Sequence, residues 1–252
     1  MSKFSRSVLQ ASAVLLALAF TACNRYYQPA SMQYDKLRIT QDAPRSAAIG
    51  ELLRPYSDSV NASMNTVIGE TAVVLEKKQP EGVLGNLLAD AVKSEAGKLY
   101  GVKVDIAFIN YGGIRLHQLP AGPLTLGKVY ELMPFDNIMI IQRLKGSVLQ
   151  ELLDNVASRG GWPGSGVSYI IKDKKATEVK VGGLPLDYSA TYIVANSDYV
   201  ASGGDNCDML RSIPQENKGV LVRDALISYL GAFAKRGEKI NASLENRVQY
   251  AQ

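Results

Sequence analysis

One histidine, two cysteines and one tryptophan occur in 252 residues. Each scarcity excludes something. A two-metal hydrolytic centre draws on several His and Asp ligands, and His117 stands alone, with no H-x-x-H pair, no Asp-x-His and no Asn-His step. A binuclear site built from this chain is therefore not expected. His117 lies in the turn-like stretch "RLHQLPAG" and reads as solvated. Cys207 has no histidine beside it in sequence, so a nucleophilic thiol dyad has little to stand on. No G-x-x-x-x-G-K loop is present and no G-x-G-x-x-G follows a strand. There is no basic run, and with 28 Lys and Arg against 24 Asp and Glu the charge excess is small. Nucleic acid is accordingly discounted as a partner.

The long apolar run that does exist is at the start. "MSKFSRSVLQASAVLLALAFTAC" has Lys3 and Arg6, an apolar stretch over residues 11–20, then small residues and Cys23. It reads as a secretory signal over residues 1–22, and "AFTAC" resembles a bacterial lipobox with Cys23 as the acylated first residue. Acyl chains at about 0.8 kcal/mol per buried methylene would hold the mature protein on a membrane. The expected location is the cell envelope of a Gram-negative bacterium, on its periplasmic face or outer membrane. Losing the signal removes Lys3, Arg6 and no acid, leaving roughly 230 residues, enough for a sizeable core. With Cys23 acylated, Cys207 has no disulfide partner.

Residues 23–45 are polar and broken by Pro29 and Pro44, as a tether would be. Residues 46–70 read as a linker-type helix, with Ile49, Leu52, Leu53, Tyr56, Val60 and Met64 at helical spacing despite Pro55. From residue 71 to 252 strands and helices alternate. "TAVVLE", "VDIAFIN", "NIMIIQRL" and "TYIVANS" read as strands. "GVLGNLLADAVKSEAGKLY", "TLGKVYEL" with Thr125 as cap, "KGSVLQELLDNVAS" and "VLVRDALISYLGAFAKR" read as helices. "YIIKD" and "ATEVKVGG" suggest a hairpin, and "GGWPGSGVS" a flexible loop. Several connections are too short for parallel crossovers, so the fold class is mixed α/β (α+β), layered mixed sheets flanked by helices.

Three stretches lie at strand ends and carry ligand-type chemistry. "NYGGIR" offers Asn110, two glycines that let a backbone approach a ligand, and Arg115, which can fork to phosphate or ribose. "PFDN" sets Phe135 and Asn137 before a strand, and "SDYVASGGDN" sets Tyr199 six residues before Asp205. Two aromatics closing on a flat base would contribute about 1–3 kcal/mol per stacked base. On residue type alone the plainer alternative stands equally: Phe135 and Tyr199 as core aromatics, the glycines as turns.

Taken together these stretches resemble the C-terminal, substrate-binding domain of the 5'-nucleotidase family. "GNLLADA" resembles its helix signature, "NYGGIR" its Asn-Gly-Gly-Gly-Ile-Arg motif, and "NSDYVASGGD" its second aromatic motif. "LPAGPLTLGKVYELMPFDNIMIIQRLKGSVLQELLD" follows the family pattern nearly throughout, and residues 49–72, "IGELLRPYSDSVNASMNTVIGETA", resemble the inter-domain linker. The likeness covers about residues 46–248. It implies that Phe135 and Tyr199 sandwich a base, Asn137 touches its edge, Asn110 and Arg115 reach phosphate or ribose, and Asp205 the ribose hydroxyls. Tyr111 puts a bulky ring where the motif has a glycine, so crowding of the approach is expected. Pro80 stands where the family often has an arginine, with Lys77 and Lys78 nearby. The linker-like segment follows the signal almost directly, so the resemblance implies that the family's metallophosphatase half is supplied by a separate chain. No catalytic residue, metal ligand or cofactor is expected in this chain, which alone should be inactive; divalent metals belong to the partner. Two alternatives stay open: a stand-alone nucleoside-binding envelope lipoprotein, and a structural module that binds nothing.

Overall fold

A computed structural model describes residues 31–33, 35, 40 and 43–251. The expected signal, Cys23 and most of the tether lie outside these residues. The chain divides into two units, residues 1–50 and 51–252. Helix α1 (Ala47–Met64) forms from the helical apolar spacing noted above and tolerates Pro55 in its interior; none of its residues is buried.

In the second unit β1 (Val67–Thr71) leads to β2 (Leu75–Glu76), α2 (Val83–Tyr100), β3 (Ile106–Phe108), β4 (Gln118–Leu119), β5 (Gly122–Thr125), α3 (Leu126–Leu132) and β6 (Ile138–Lys145). Then come α4 (Gly146–Ser158), β7 (Gly164–Ser165), β8 (Val167–Lys172), β9 (Lys175–Val181), β10 (Leu184–Pro185), β11 (Thr191–Ser197), α5 (Asp198–Ala201), β12 (Gln215–Leu221), α6 (Val222–Lys235) and β13 (Val248–Tyr250). Residues 67–70, assigned from sequence to the linker helix, are instead strand: β1 pairs antiparallel with β5. The strand expected over "TAVVLE" is reduced to the two residues of β2.

The central sheet has five strands in the order β12-β6-β11-β3-β7. Only β3 and β11 run parallel; the other neighbours are antiparallel. The period-two alternation of β11 feeds two cores. Ala195 points to one shared with Leu84, Leu88 and Val92 of α2 and Leu226 and Leu230 of α6. Val194 points to the other, shared with Leu149, Leu152 and Leu153 of α4 and Tyr169 of β8. Full burial of each such leucine contributes about 1.5–3 kcal/mol. The second core is closed by a four-stranded sheet, β10-β9-β8-β13. This is the mixed, layered architecture expected. The β8–β9 hairpin turns at Asp173 and Lys174, both at positive φ, as a tight two-residue turn requires.

One expectation fails clearly. "GGWPGSGVS" is not a flexible loop: Trp162 is 3 % exposed, and Gly164 pairs with Phe108 as part of β7. A side chain at Gly85 would collide with Pro163, its Cβ lying 2.7 Å from the ring. The loop is therefore packed against the first turns of α2.

Candidate functional site

Parallel pairing puts the C-terminal ends of β3 and β11 side by side, and antiparallel pairing brings the start of β6 to the same edge (Ser197 opposite Met139). The three stretches singled out from sequence are the segments leaving or entering that edge. Topology alone therefore gathers them.

Each is tied down locally. Ser197 caps α5, its Oγ accepting from Val200 N at 3.3 Å. Asp198 Oδ1 accepts from Tyr199 N at 2.8 Å and from Ile138 N at 2.9 Å, which fixes the Tyr199 segment to the entrance of β6. The "PFDN" turn is held from α6. Arg223, 7 % exposed, pairs through Nη2 with Asp136 Oδ1 at 2.7 Å. Its Nη1 reaches the Met133 and Phe135 carbonyls at 3.5 and 3.4 Å. The guanidinium lies over the Tyr130 ring, 4.2 Å from its centroid. Asn110 Nδ2 donates to Asp205 Oδ2 at 2.8 Å, and the Tyr199 hydroxyl to Asp205 Oδ1 at 3.4 Å. Asp205 itself sits at φ 53°, ψ 36°, a left-handed conformation uncommon outside glycine. Asn155 Nδ2 secures it by donating to its carbonyl at 3.1 Å.

These segments enclose a cavity of about 260 Å³ lined by Asn110, Gly112, Gly113, Phe135, Asn137, Tyr199 and Asp205. Five of the six residues named from sequence line it. Phe135 is 39 % and Tyr199 45 % exposed, so neither is a core aromatic. Gly204 backs the tyrosine: a Cβ there would lie 2.5 Å from the Tyr199 ring. The sixth residue, Arg115, stays at the rim. Its Nη1 donates to Gly112 O at 3.2 Å, and its Cζ is 5.9 Å from the Phe135 centroid.

Tyr111 does not crowd the approach. It packs against the second core, with Lys77 Nζ 3.8 Å above its ring. Lys77 also donates to Ile114 O at 2.7 Å. Burial, and then the charge of Arg115, hold its ammonium below the ordinary lysine range. Lys77 and Arg115 thus make the rim beside "NYGGIR" electropositive. Sequence reasoning missed Arg223, Asp198 and Gly204 as residues that position the site. The one signal for Arg223 was a cation on the otherwise apolar side of "VLVRDALISYL".

Neither His117 nor Cys207 lines the cavity. His117 is exposed. Cys207 is buried, and burial pushes its thiol up to about 11, far from a reactive thiolate. Among the described residues no group of three or more His, Cys, Asp and Glu side chains is placed to hold a metal ion. Among the same residues no helix is long and apolar enough to cross a membrane.

Residues 66–212 match the family described as 5'-nucleotidase, C-terminal domain. The chain belongs to that family. It is 27 % identical over 207 residues to Protein UshA of Escherichia coli, covering 78 % of this chain and 36 % of that protein. It is 28 % identical over 203 residues to a 5'-nucleotidase of Vibrio vulnificus, covering 76 % and 35 %. Among solved structures it resembles a 5'-nucleotidase precursor from Thermus thermophilus, with 31 % identity and a TM-score of 0.71 over 83 % of this chain and 44 % of that one. The chain therefore spans about a third of the length of these two sequence relatives. In family terms, the cavity lies within the part of the chain that defines the 5'-nucleotidase C-terminal domain.

Proposed function

We propose that this chain is the nucleotide-recognition part of a 5'-nucleotidase-type phosphohydrolase and that a separate metallophosphatase chain supplies the metals and the nucleophile. The observation that carries the reading is the pair of partly exposed rings, Phe135 and Tyr199, on one cavity at the meeting point of three strand ends. In this reading the base stacks between the rings and Asn137 meets its edge. Asp205, braced by Asn110, takes the ribose hydroxyls. Arg115 and Lys77 attract the phosphate at the rim. Positioning without a nucleophile gives little rate, and one exposed histidine with no clustered ligands among the described residues argues for chemistry performed elsewhere. The substrate is a nucleotide or nucleoside, nucleic acid is not a partner, and acylated Cys23 anchors the chain at the cell envelope.

Calorimetry with adenosine and adenosine monophosphate tests recognition. Binding that weakens about 5- to 150-fold in Phe135→Ala is expected, and no binding by a panel of nucleosides and nucleotides overturns it. Phosphate release by the rigorously purified chain with added divalent metal, abolished by a point change within it, overturns the division of labour.

A further inference from the structure

The loop that carries Asp205 is bent against its own preferences. Gly203 sits at φ 90° and Asp205 at φ 53°, and Asn206 follows at φ 59°. Two successive side-chain-bearing residues in the left-handed region are costly, and such a path persists only where its neighbours hold it. The Asp205 carboxylate is met by Asn110 Nδ2 at 2.8 Å and by the Tyr199 hydroxyl at 3.4 Å. Those contacts orient the side chain. The main chain has to be held by something else.

Asn155 is what meets the main chain. It lies on α4 and does not line the cavity. The helix is a firm base: Leu152, Leu153 and Val156 are buried in the second core, as is Cys207, two residues past Asp205. Asn155 Nδ2 donates to Asp205 O at 3.1 Å and lies 3.5 Å from Cys207 Sγ. The partners set which way round the amide sits. A carbonyl oxygen only accepts, so the nitrogen must face it, and Arg159 Nε, which only donates, meets Asn155 Oδ1 at 3.5 Å. Among the described residues the one other donor to the Asp205 carbonyl is the Cys207 thiol at 3.9 Å, and a thiol is a weak donor.

We propose that Asn155 is a positioning residue for Asp205. By gripping the Asp205 carbonyl from α4 it keeps the left-handed turn, and so keeps the carboxylate on the cavity wall. It thereby sets how strongly a sugar with its hydroxyls is preferred over one without them. The hold itself stands on the geometry. Its effect on binding rests on the proposed nucleotide site, in which Asp205 takes the ribose hydroxyls. Without the amide donor the turn relaxes towards ordinary dihedrals, and the carboxylate swings away from Asn110 and from the sugar. The two rings are carried elsewhere, on the turn before β6 and on α5, so stacking survives better than sugar recognition.

The two parts are tested separately. Asn155→Ala removes the donor; Asn155→Asp removes it at nearly constant shape and keeps an acceptor for Arg159. Crystal structures of the variants should show Asp205 out of the left-handed region or its bond to Asn110 broken. Asp205 unmoved overturns the proposal whether or not nucleosides bind, and if the alanine variant does not fold, the aspartate variant alone decides. Calorimetry with adenosine and 2′,3′-dideoxyadenosine reads the second part. The preference for adenosine should fall about 3- to 10-fold in each variant, roughly the worth of one hydrogen bond. A merely loosened fold weakens both ligands alike, so an unchanged preference overturns the specificity role. In an Asp205→Ala background the Asn155 change should lower the preference no further, and an equal fall there overturns the role as well. If the wild type binds no nucleoside, the proposed function and the specificity role fail together, while the crystallographic result for the hold stands.

Discussion

Gly204→Ala gives the sharpest test of how the aromatic slot is set. The glycine is not at positive φ, so alanine brings no backbone strain of its own; the effect is steric. The new Cβ would lie 2.5 Å from Cε1 and Cζ of the Tyr199 ring and 2.6 Å from its carbonyl oxygen. Carbon atoms in contact keep about 3.5–4.0 Å, so the ring must retreat by roughly 1 Å. It retreats away from Gly204, into the cavity that it lines with Phe135, and narrows the slot by about that amount. A flat base then loses up to one stacked face, about 1–3 kcal/mol, or about 5- to 150-fold in affinity. Overpacking should also lower stability by about 1–3 kcal/mol, at about 2–4 °C in Tm per kcal/mol for a domain of this size. Calorimetry with adenosine and thermal melts on Gly204→Ala, Tyr199→Ala and the double variant would measure both. With the ring removed only the 2.6 Å contact with the main-chain carbonyl oxygen of residue 199 remains, so Gly204→Ala should cost less affinity in the Tyr199→Ala background than in the wild type. Wild-type affinity in Gly204→Ala, or full additivity with Tyr199→Ala, would refute the reasoning.

Arg223→Met should release the "PFDN" turn: charge-assisted hydrogen bonds worth about 1.5–3 kcal/mol are lost, Tm falls, and adenosine binding weakens because Phe135 is no longer held. Arg115→Ala should weaken adenosine monophosphate by about tenfold and leave adenosine nearly unchanged; equal losses for both ligands would count against a phosphate role. Burial raises the Cys207 thiol from its ordinary range to about 11, so the fold favours the neutral thiol. Its contribution is whole below about pH 9 and is lost as pH rises towards 11. Cys207→Ala should therefore show a shallower decline of Tm over that window than the wild type. Cys23→Ser should move the protein from the membrane to the soluble fraction, and an unmodified Cys23 by mass spectrometry would rule the anchor out.

Elements whose signal is local were legible. Thr125 was readable as a cap, and its side chain accepts from Lys128 N at 3.3 Å. The strand "TYIVANS" runs over Thr191–Ser197 as read, because its residues are strand formers bounded by a turn. Elements made by tertiary contact were not. Strand β12, "QENKGVL", has no apolar alternation because it is an edge strand, exposed over its first five residues; only pairing with β6 makes it a strand. The glycines of "GGWPGSGVS" suggested freedom, yet they exist because neighbours come too close for side chains. A Cβ at Gly164 would touch Val167 at 3.0 Å and Phe108 at 3.2 Å.

The candidate site divides the same way. Residues that line the cavity sit in motifs, so Asn110, Phe135, Asn137, Tyr199 and Asp205 could be named without a structure. Residues that hold those side chains in place have no motif of their own. Arg223 is the clearest case: on its helix it is a cation among core positions, and sequence supplies no reason for it. The reason is 88 residues away, in the Phe135 carbonyl it meets at 3.4 Å. Asp136, its ionic partner, is 78 % exposed at the side chain, so the pair is not a buried ion pair kept for its own sake. The guanidinium is buried and the carboxylate is not, which means the desolvation cost falls on the arginine alone. Such a cost is offset only if the arginine does more than neutralise a charge. It bonds two main-chain carbonyls and a carboxylate at once, with an aromatic ring beneath, and so fixes the path of the Phe135 turn. That is why truncating Arg223 should cost binding as well as stability, although its own side chain does not line the cavity.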